Sequence, residues 1–183
     1  ALRGRPLGIL HLATHATSNP SIPAFSGVLL SQRDLAGSRV QGLVPAFELA
    51  RAGLQVRLCV LSACSTAEGE PLAGEGRLGL HRALLEGGAE RVVATHWPVS
   101  DRATARLMGQ FYEALLRRRL APADALAAAQ RGAWELRPGS PVHWAGFVFY
   151  GDWRPWPIGQ IGSSRSEEGD RNYEVGDGEM GTP

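Results

Sequence analysis

The chain has 183 residues, 44% of them apolar, which suits one domain with a real core, with or without a tail. Its net charge of +1 gives no electrostatic basis for capturing nucleic acid or an anionic membrane. All 19 basic residues are arginine, so no lysine is present for a Schiff base or a phosphate-binding P-loop.

The only cysteines are Cys59 and Cys64. Five residues of extended strand span about 16 Å, whereas a disulfide needs alpha carbons within about 7 Å. An internal bridge is therefore not expected, and with no signal-peptide pattern the cysteines point to a reducing cytoplasm. No apolar run approaches the ~20 residues that cross a bilayer. The expectation is a soluble, cytoplasmic protein.

In chain order, the first predicted element is a strand over Ile9–Thr14, followed by a loop with Pro20 and Pro23 and a short apolar piece at Val28–Leu30. Pro45–Ala52 reads as a short helix closed by Gly53. The continuous apolar run Val56–Cys64 is a core strand, followed by a glycine-rich loop over Ser65–Gly76. Leu78, Leu80, Leu84 and Leu85 mark a helix ending at Gly87-Gly88. Arg91–Trp97 is a third core strand, and Ser100 or Asp101 can cap the helix after it. Leu107, Met108, Phe111, Tyr112 and Leu115 recur in that helix at helical spacing. Pro122 opens another helix running to about Trp134, and Trp144–Tyr150 is a last strand.

Strands alternating with helices imply an α/β fold with a mostly parallel sheet between helical layers. The ordered domain is expected over residues 1–156. Residues 157–183 are rich in Gly, Ser and acids and read as a disordered polar, acidic tail.

Strands of such a sheet deliver their carboxyl ends to one rim, where ligands bind. His15 and Cys64 both stand where an apolar run stops, so an imidazole and a thiol arrive at that rim together. A base beside a thiol ionises it and later protonates the leaving group. His15 precedes Cys64 by 49 positions, and Ala63 precedes the cysteine, close to the spacing and context of the caspase signature. The bland alternative makes Cys64 a small core residue and His15 a satisfied rim histidine.

His11 and Cys59 lie inside their apolar runs and read as buried, structural residues. His96 also ends a core strand and is the reserve base. His81 and His143 have no motif behind them. Gly74–Gly79 fits the dinucleotide pattern GxGxxG, but some ten residues separate it from the preceding strand, so its glycines read as loop freedom. Asp101 is open to two readings, a helix N-cap with Ser100 or an anionic pocket floor for a cationic side chain. No metal or cofactor site is expected.

These blocks resemble the CHAT domain, a caspase-like cysteine peptidase module of the separase-related clan that is frequent in bacteria. His11-Leu12-Ala13-Thr14-His15 is similar to its histidine motif, and Leu61-Ser62-Ala63-Cys64-Ser65-Thr66 to its nucleophile motif. Gly74 through Leu84, Val92 through Asp101 and Trp144 through Asp152 resemble three further blocks. The resemblance implies a caspase-like three-layer sandwich with a His15–Cys64 dyad. It also implies an oxyanion site from the backbone N–H groups of Ala16 and Cys64, and a substrate loop with Trp97 as an apolar wall and Asp101 receiving arginine. The substrate would be a protein, and the parent protein would carry a regulatory or sensor domain.

The family usually has glycine where Ala16 stands; alanine keeps the N–H but resists positive φ. Ala67 likewise replaces the glycine common after the Cys-x-Thr segment. The family's first strands are absent from this sequence, so it reads as the C-terminal part of the domain with an uncovered sheet edge, either a fragment of a longer protein or a module completed by a partner. Two functions follow: a cysteine endopeptidase cleaving after arginine, or a non-catalytic interaction module, a pseudoprotease or scaffold, in a larger signalling or defence protein.

Overall fold

The computed structural model describes residues 7–17, 19, 21–64, 75–136 and 139–155. The predicted loop after Cys64 lies almost wholly outside these residues, and the predicted acidic tail entirely so.

The order of elements is β1 (Leu7–Thr17), β2 (Gly27–Leu29), β3 (Leu43–Pro45), α1 (Ala46–Ala50), β4 (Val56–Cys64), α2 (Glu75–Glu86), β5 (Arg91–Thr95), α3 (Asp101–Tyr112), α4 (Pro122–Leu136) and β6 (Phe147–Gly151). One six-stranded sheet runs β3-β2-β1-β4-β5-β6. Its centre is parallel, β4 pairing with β1 and β5, while β2, β3 and β6 join antiparallel. The expected α/β sandwich forms, with antiparallel strands on its flanks.

β4 sits in the middle because it is apolar on both faces. Cys59 and Leu61 enter one core, with Leu49 of α1 and Leu80 and Leu84 of α2. Leu58 and Val60 enter the other, with Leu107 and Phe111 of α3 and Leu126 of α4. Two helical layers thus sandwich the sheet. Phe111 is fully buried in the second core; truncating it to alanine would remove about 3–5 kcal/mol.

Three departures from the sequence reading have physical causes. β1 is not the edge of the sheet at its carboxyl end, where β2 pairs with residues 15–17, although no described strand pairs with the outer side of residues 7–14. The last strand starts at Phe147 rather than Trp144, since Trp144–Gly146 form a turn. His11 is exposed rather than buried. Alternation places residues 9, 11, 13 and 15 on the α3 face, but the second core takes up only Ile9. His11, Ala13 and His15 remain open to solvent along that strip.

α3 does not end cleanly. A π-helical turn, Glu113–Arg117, follows it, and Arg119 takes a left-handed φ of 57° before α4 begins. Such π turns lie inside or at the ends of helices, often near functional sites.

Candidate functional site

β1 and β4 run in parallel register from Leu7↔Val56 to a last pair, His15↔Cys64. Neighbouring strands lie about 4.8 Å apart, so the two sequence-predicted residues are backbone neighbours at the carboxyl rim of the sheet. By alternation His15 occupies the face that α3 and α4 cover lower down. His15 is exposed.

Ala16 follows His15 inside β1, is buried, and pairs in register with Val28 of β2. Among the described residues Arg119 is the one non-glycine residue with positive φ. The β-strand geometry at Ala16 therefore asks for no conformation that alanine resists.

Trp97 and Asp101 follow β5 on the same rim. The Trp97 indole N–H donates to the carbonyl of Val142 at 3.0 Å. A Cβ added to Gly146 would lie 3.0 Å from Trp97 Nε1 and from Val99 Cγ2, so glycine lets the turn before β6 close against the indole. Trp97 is thus a braced, half-buried indole. The cap position of α3 belongs to Ser100, whose hydroxyl accepts from the Ala103 N–H. Asp101 is the first helical residue, exposed, with no hydrogen bond or ion pair among the described residues.

His96 is committed elsewhere. Its Nε2 hydrogen-bonds the Tyr150 hydroxyl, and the Tyr150 ring stacks on His81 of α2 with centroids 3.8 Å apart. Tyr150 packs against the core on the α1–α2 side, opposite the face that holds His15. The reserve base is part of this ring stack.

The α3 face carries a second polar grouping that sequence reasoning missed. His11 Nε2 lies 3.0 Å from Ser62 Oγ, and the Tyr112 hydroxyl lies 2.9 Å from His11 Nδ1. Although His11 is open on one side, the burial of the rest of its ring lowers its pKa below the ordinary value. Burial, and secondarily the nearby Cys59, pushes Tyr112 up to about 12. Burial likewise pushes the Cys59 thiol up to about 12, so that cysteine is an inert core residue. Ser62 could have been found from its two-residue offset from Cys64, and His11 from its four-residue offset from His15. Tyr112 carried no such signal, because it arrives from 101 positions away.

A cavity of about 420 Å3 opens between α3 and α4, against Ser100, Arg106, Leu107 and Leu136. Neither His15, Trp97 nor Asp101 lines it. Among the described residues no group of three or more His, Cys, Asp or Glu is placed to hold a metal ion. No described helix is long and apolar enough to cross a membrane.

Comparison with known proteins agrees with this geometry. Tetratricopeptide repeat protein 28 of Mus musculus is 36% identical over 110 residues, covering 60% of this chain. The chain spans only 4% of that protein's length. The family model described as CHAT domain matches residues 1–152, which take in every described strand and helix, and the chain belongs to the CHAT domain family.

Proposed function

We propose that this chain is a caspase-like cysteine endopeptidase domain in which His15 and Cys64 form the catalytic dyad. The single observation that carries the reading is the register pair His15↔Cys64 at the rim. His15 takes the thiol proton, and the Cys64 thiolate attacks the scissile carbonyl. The oxyanion that forms accepts hydrogen bonds from the backbone N–H groups of Cys64 and Ala16; one such donor is worth about 10²–10³ in rate. His15 then gives its proton to the leaving amine, and water releases the acyl group from Cys64.

The substrate in this reading is a protein with arginine before the cleaved bond. A guanidinium pairs well with a carboxylate, and the Asp101 carboxylate is exposed while Ser100 does the capping. Trp97 lines the path of the extended substrate. The domain works in the cytoplasm as one part of a larger protein, whose other domains supply the activating signal.

A second reading is a non-catalytic interaction module. It draws on the relative being named as a tetratricopeptide repeat protein.

Two measurements separate the readings. Cys64→Ala should abolish cleavage of an arginyl peptide library, and undiminished turnover in that variant would overturn the dyad. Iodoacetamide should label Cys64 faster than Cys59, with a pH midpoint that rises when His15 is replaced by alanine. Equal, slow labelling of both cysteines favours the interaction module.

A further inference from the structure

We propose that Tyr112, His11 and Ser62 form a positioning chain that locks the ends of β1 and β4 to α3 and thereby holds His15 and Cys64 in register. The link to His15 and Cys64 rests on the dyad reading above; the mechanical lock does not.

The chain bridges three elements. His11 is on β1, Ser62 on β4 and Tyr112 is the last residue of α3. In the ladder His11 is partnered by Val60 and Ser62 by Ala13. The His11–Ser62 bond is therefore a diagonal, crossing from the His11 rung to a β4 residue two positions nearer the rim. A diagonal strut resists sliding along the strands, the motion by which a parallel pair loses register. Only two ladder pairs, Thr14↔Ala63 and His15↔Cys64, lie beyond Ser62. The β1 end is also tied by its pairing with β2 over residues 15–17, so the end that the strut most holds is that of β4, and strand ends of that length fray unless tied down.

Tyr112 makes the strut rigid from behind. Its hydroxyl holds Nδ1 of the imidazole whose Nε2 meets Ser62. If the Tyr112 O–H donates to Nδ1, the Nε2–H donates to Ser62 Oγ; the reverse sense is equally complete. Either way a neutral imidazole uses both nitrogens, and its ring cannot turn without losing two bonds. The rings of His11 and Tyr112 also touch, with centroids 5.6 Å apart.

The same helix begins at Asp101, straight after the Trp97 loop. At 1.5 Å per residue, the eleven steps from Asp101 place Tyr112 about 16 Å from the proposed specificity residue. α3 thus connects the two halves of the proposed site, and the π turn after Tyr112 is where its helical register changes. Tyr112, His11 and Ser62 are positioning residues in this account, acting through His15 and Cys64 rather than on substrate.

The test uses the full chain with Tyr112→Phe and Ser62→Ala, each of which removes one hydroxyl. Amide hydrogen exchange at residues 13–15 and 62–64 reads the lock itself. Exchange should quicken there in both variants while the amides of α2 and β5 stay protected; unchanged exchange at the strand ends overturns the proposal. The pH profile of Cys64 alkylation reads the consequence for the dyad. Its rate at neutral pH should fall roughly tenfold in each variant, the low end of what losing an orienting partner costs at a reactive centre. The double variant should fall no further than the singles, since the groups act as one unit. If His15→Ala leaves the wild-type profile unmoved, the dyad reading fails while the exchange result still decides the lock. If His15→Ala moves the profile and the two hydroxyl variants do not, the positioning role fails and the dyad stands.

Discussion

His15 and Cys64 are register partners, and theirs is the last rung of the parallel β1–β4 ladder. On the β1 side this rung is also held by the pairing of His15 with Leu29 of β2, whereas β4 ends at Cys64. What surrounds it, the Tyr112–His11–Ser62 grouping below and the Trp97 loop beside it, matters as much as the pair itself.

The two roles available at the start of α3 fall on different residues and can be separated. Ser100→Ala should cost about 1 kcal/mol of stability through the lost cap, with no change in the preferred residue before the cleaved bond. Asp101→Ala should leave the melting temperature nearly unchanged and weaken the preference for arginine among Arg, Leu and Asp. A peptide-library cleavage profile and a melting curve on each variant check both statements.

His11 makes folding sensitive to mild acid. Partial burial depresses its pKa in the folded state below the unfolded value of 6.5. The unfolded chain therefore binds the proton more readily, and stability rises with pH across the interval between the two values. Stability is full above pH 6.5 and is lost as pH falls through the folded-state value. Urea midpoints of wild type and His11→Gln, measured from pH 7.5 to 4.5, should converge as the pH falls. Parallel curves for the two proteins would remove His11 from the account.

A second acid-sensitive group lies at the opposite rim of the sheet. The Arg91 guanidinium, only 5% exposed, is held by Glu90 and by Asp152 at 3.2 Å. Hydrogen bonds from Arg154 are the main cause that holds the Asp152 carboxyl at about 2, against an ordinary 3.8. Folding stability from this group is complete above about pH 4 and fades as pH falls toward 2. Asp152→Asn should lower the melting temperature at pH 7, because the buried guanidinium loses a counter-charge. It should also flatten the stability slope between about pH 4 and 2, readable by circular dichroism.

Two glycines, one just past α2 and one inside α3, should answer oppositely to the same change. Gly88 has φ +109°, and an added Cβ would lie 2.1 Å from the Leu54 carbonyl oxygen. Gly109, inside α3, has open space at that position. Gly88→Ala should destabilise by about 1–3 kcal/mol, the range for overpacking. Gly109→Ala should stabilise by roughly 0.5–1 kcal/mol, through helix propensity alone. Denaturant unfolding of the two variants tests this directly.

Much of the frame was legible in the chain, because periodicity and punctuation act locally. The unbroken apolar run of Val56–Cys64 marks a strand buried on both faces, and Gly87-Gly88 and Pro122 mark helix ends within a residue or two. The candidate pair was also legible, since each residue stands where its own apolar run stops. The sequence alone determined which strands form the core and which residues their carboxyl ends carry.

The tertiary structure alone decided which residues meet. β2 returns beside the last three residues of β1, so His15 lies inside the sheet while residues 7–14 keep an open outer side among the described residues. The same arrangement leaves one strip of β1 open, which exposes His11 where its apolar neighbours imply burial. Tyr112 reaches that histidine across 101 positions, and Tyr150 takes up His96 across 54. Such contacts depend on the order of strands and the seating of helices. Those are settled by closing the whole core, and no local pattern records them.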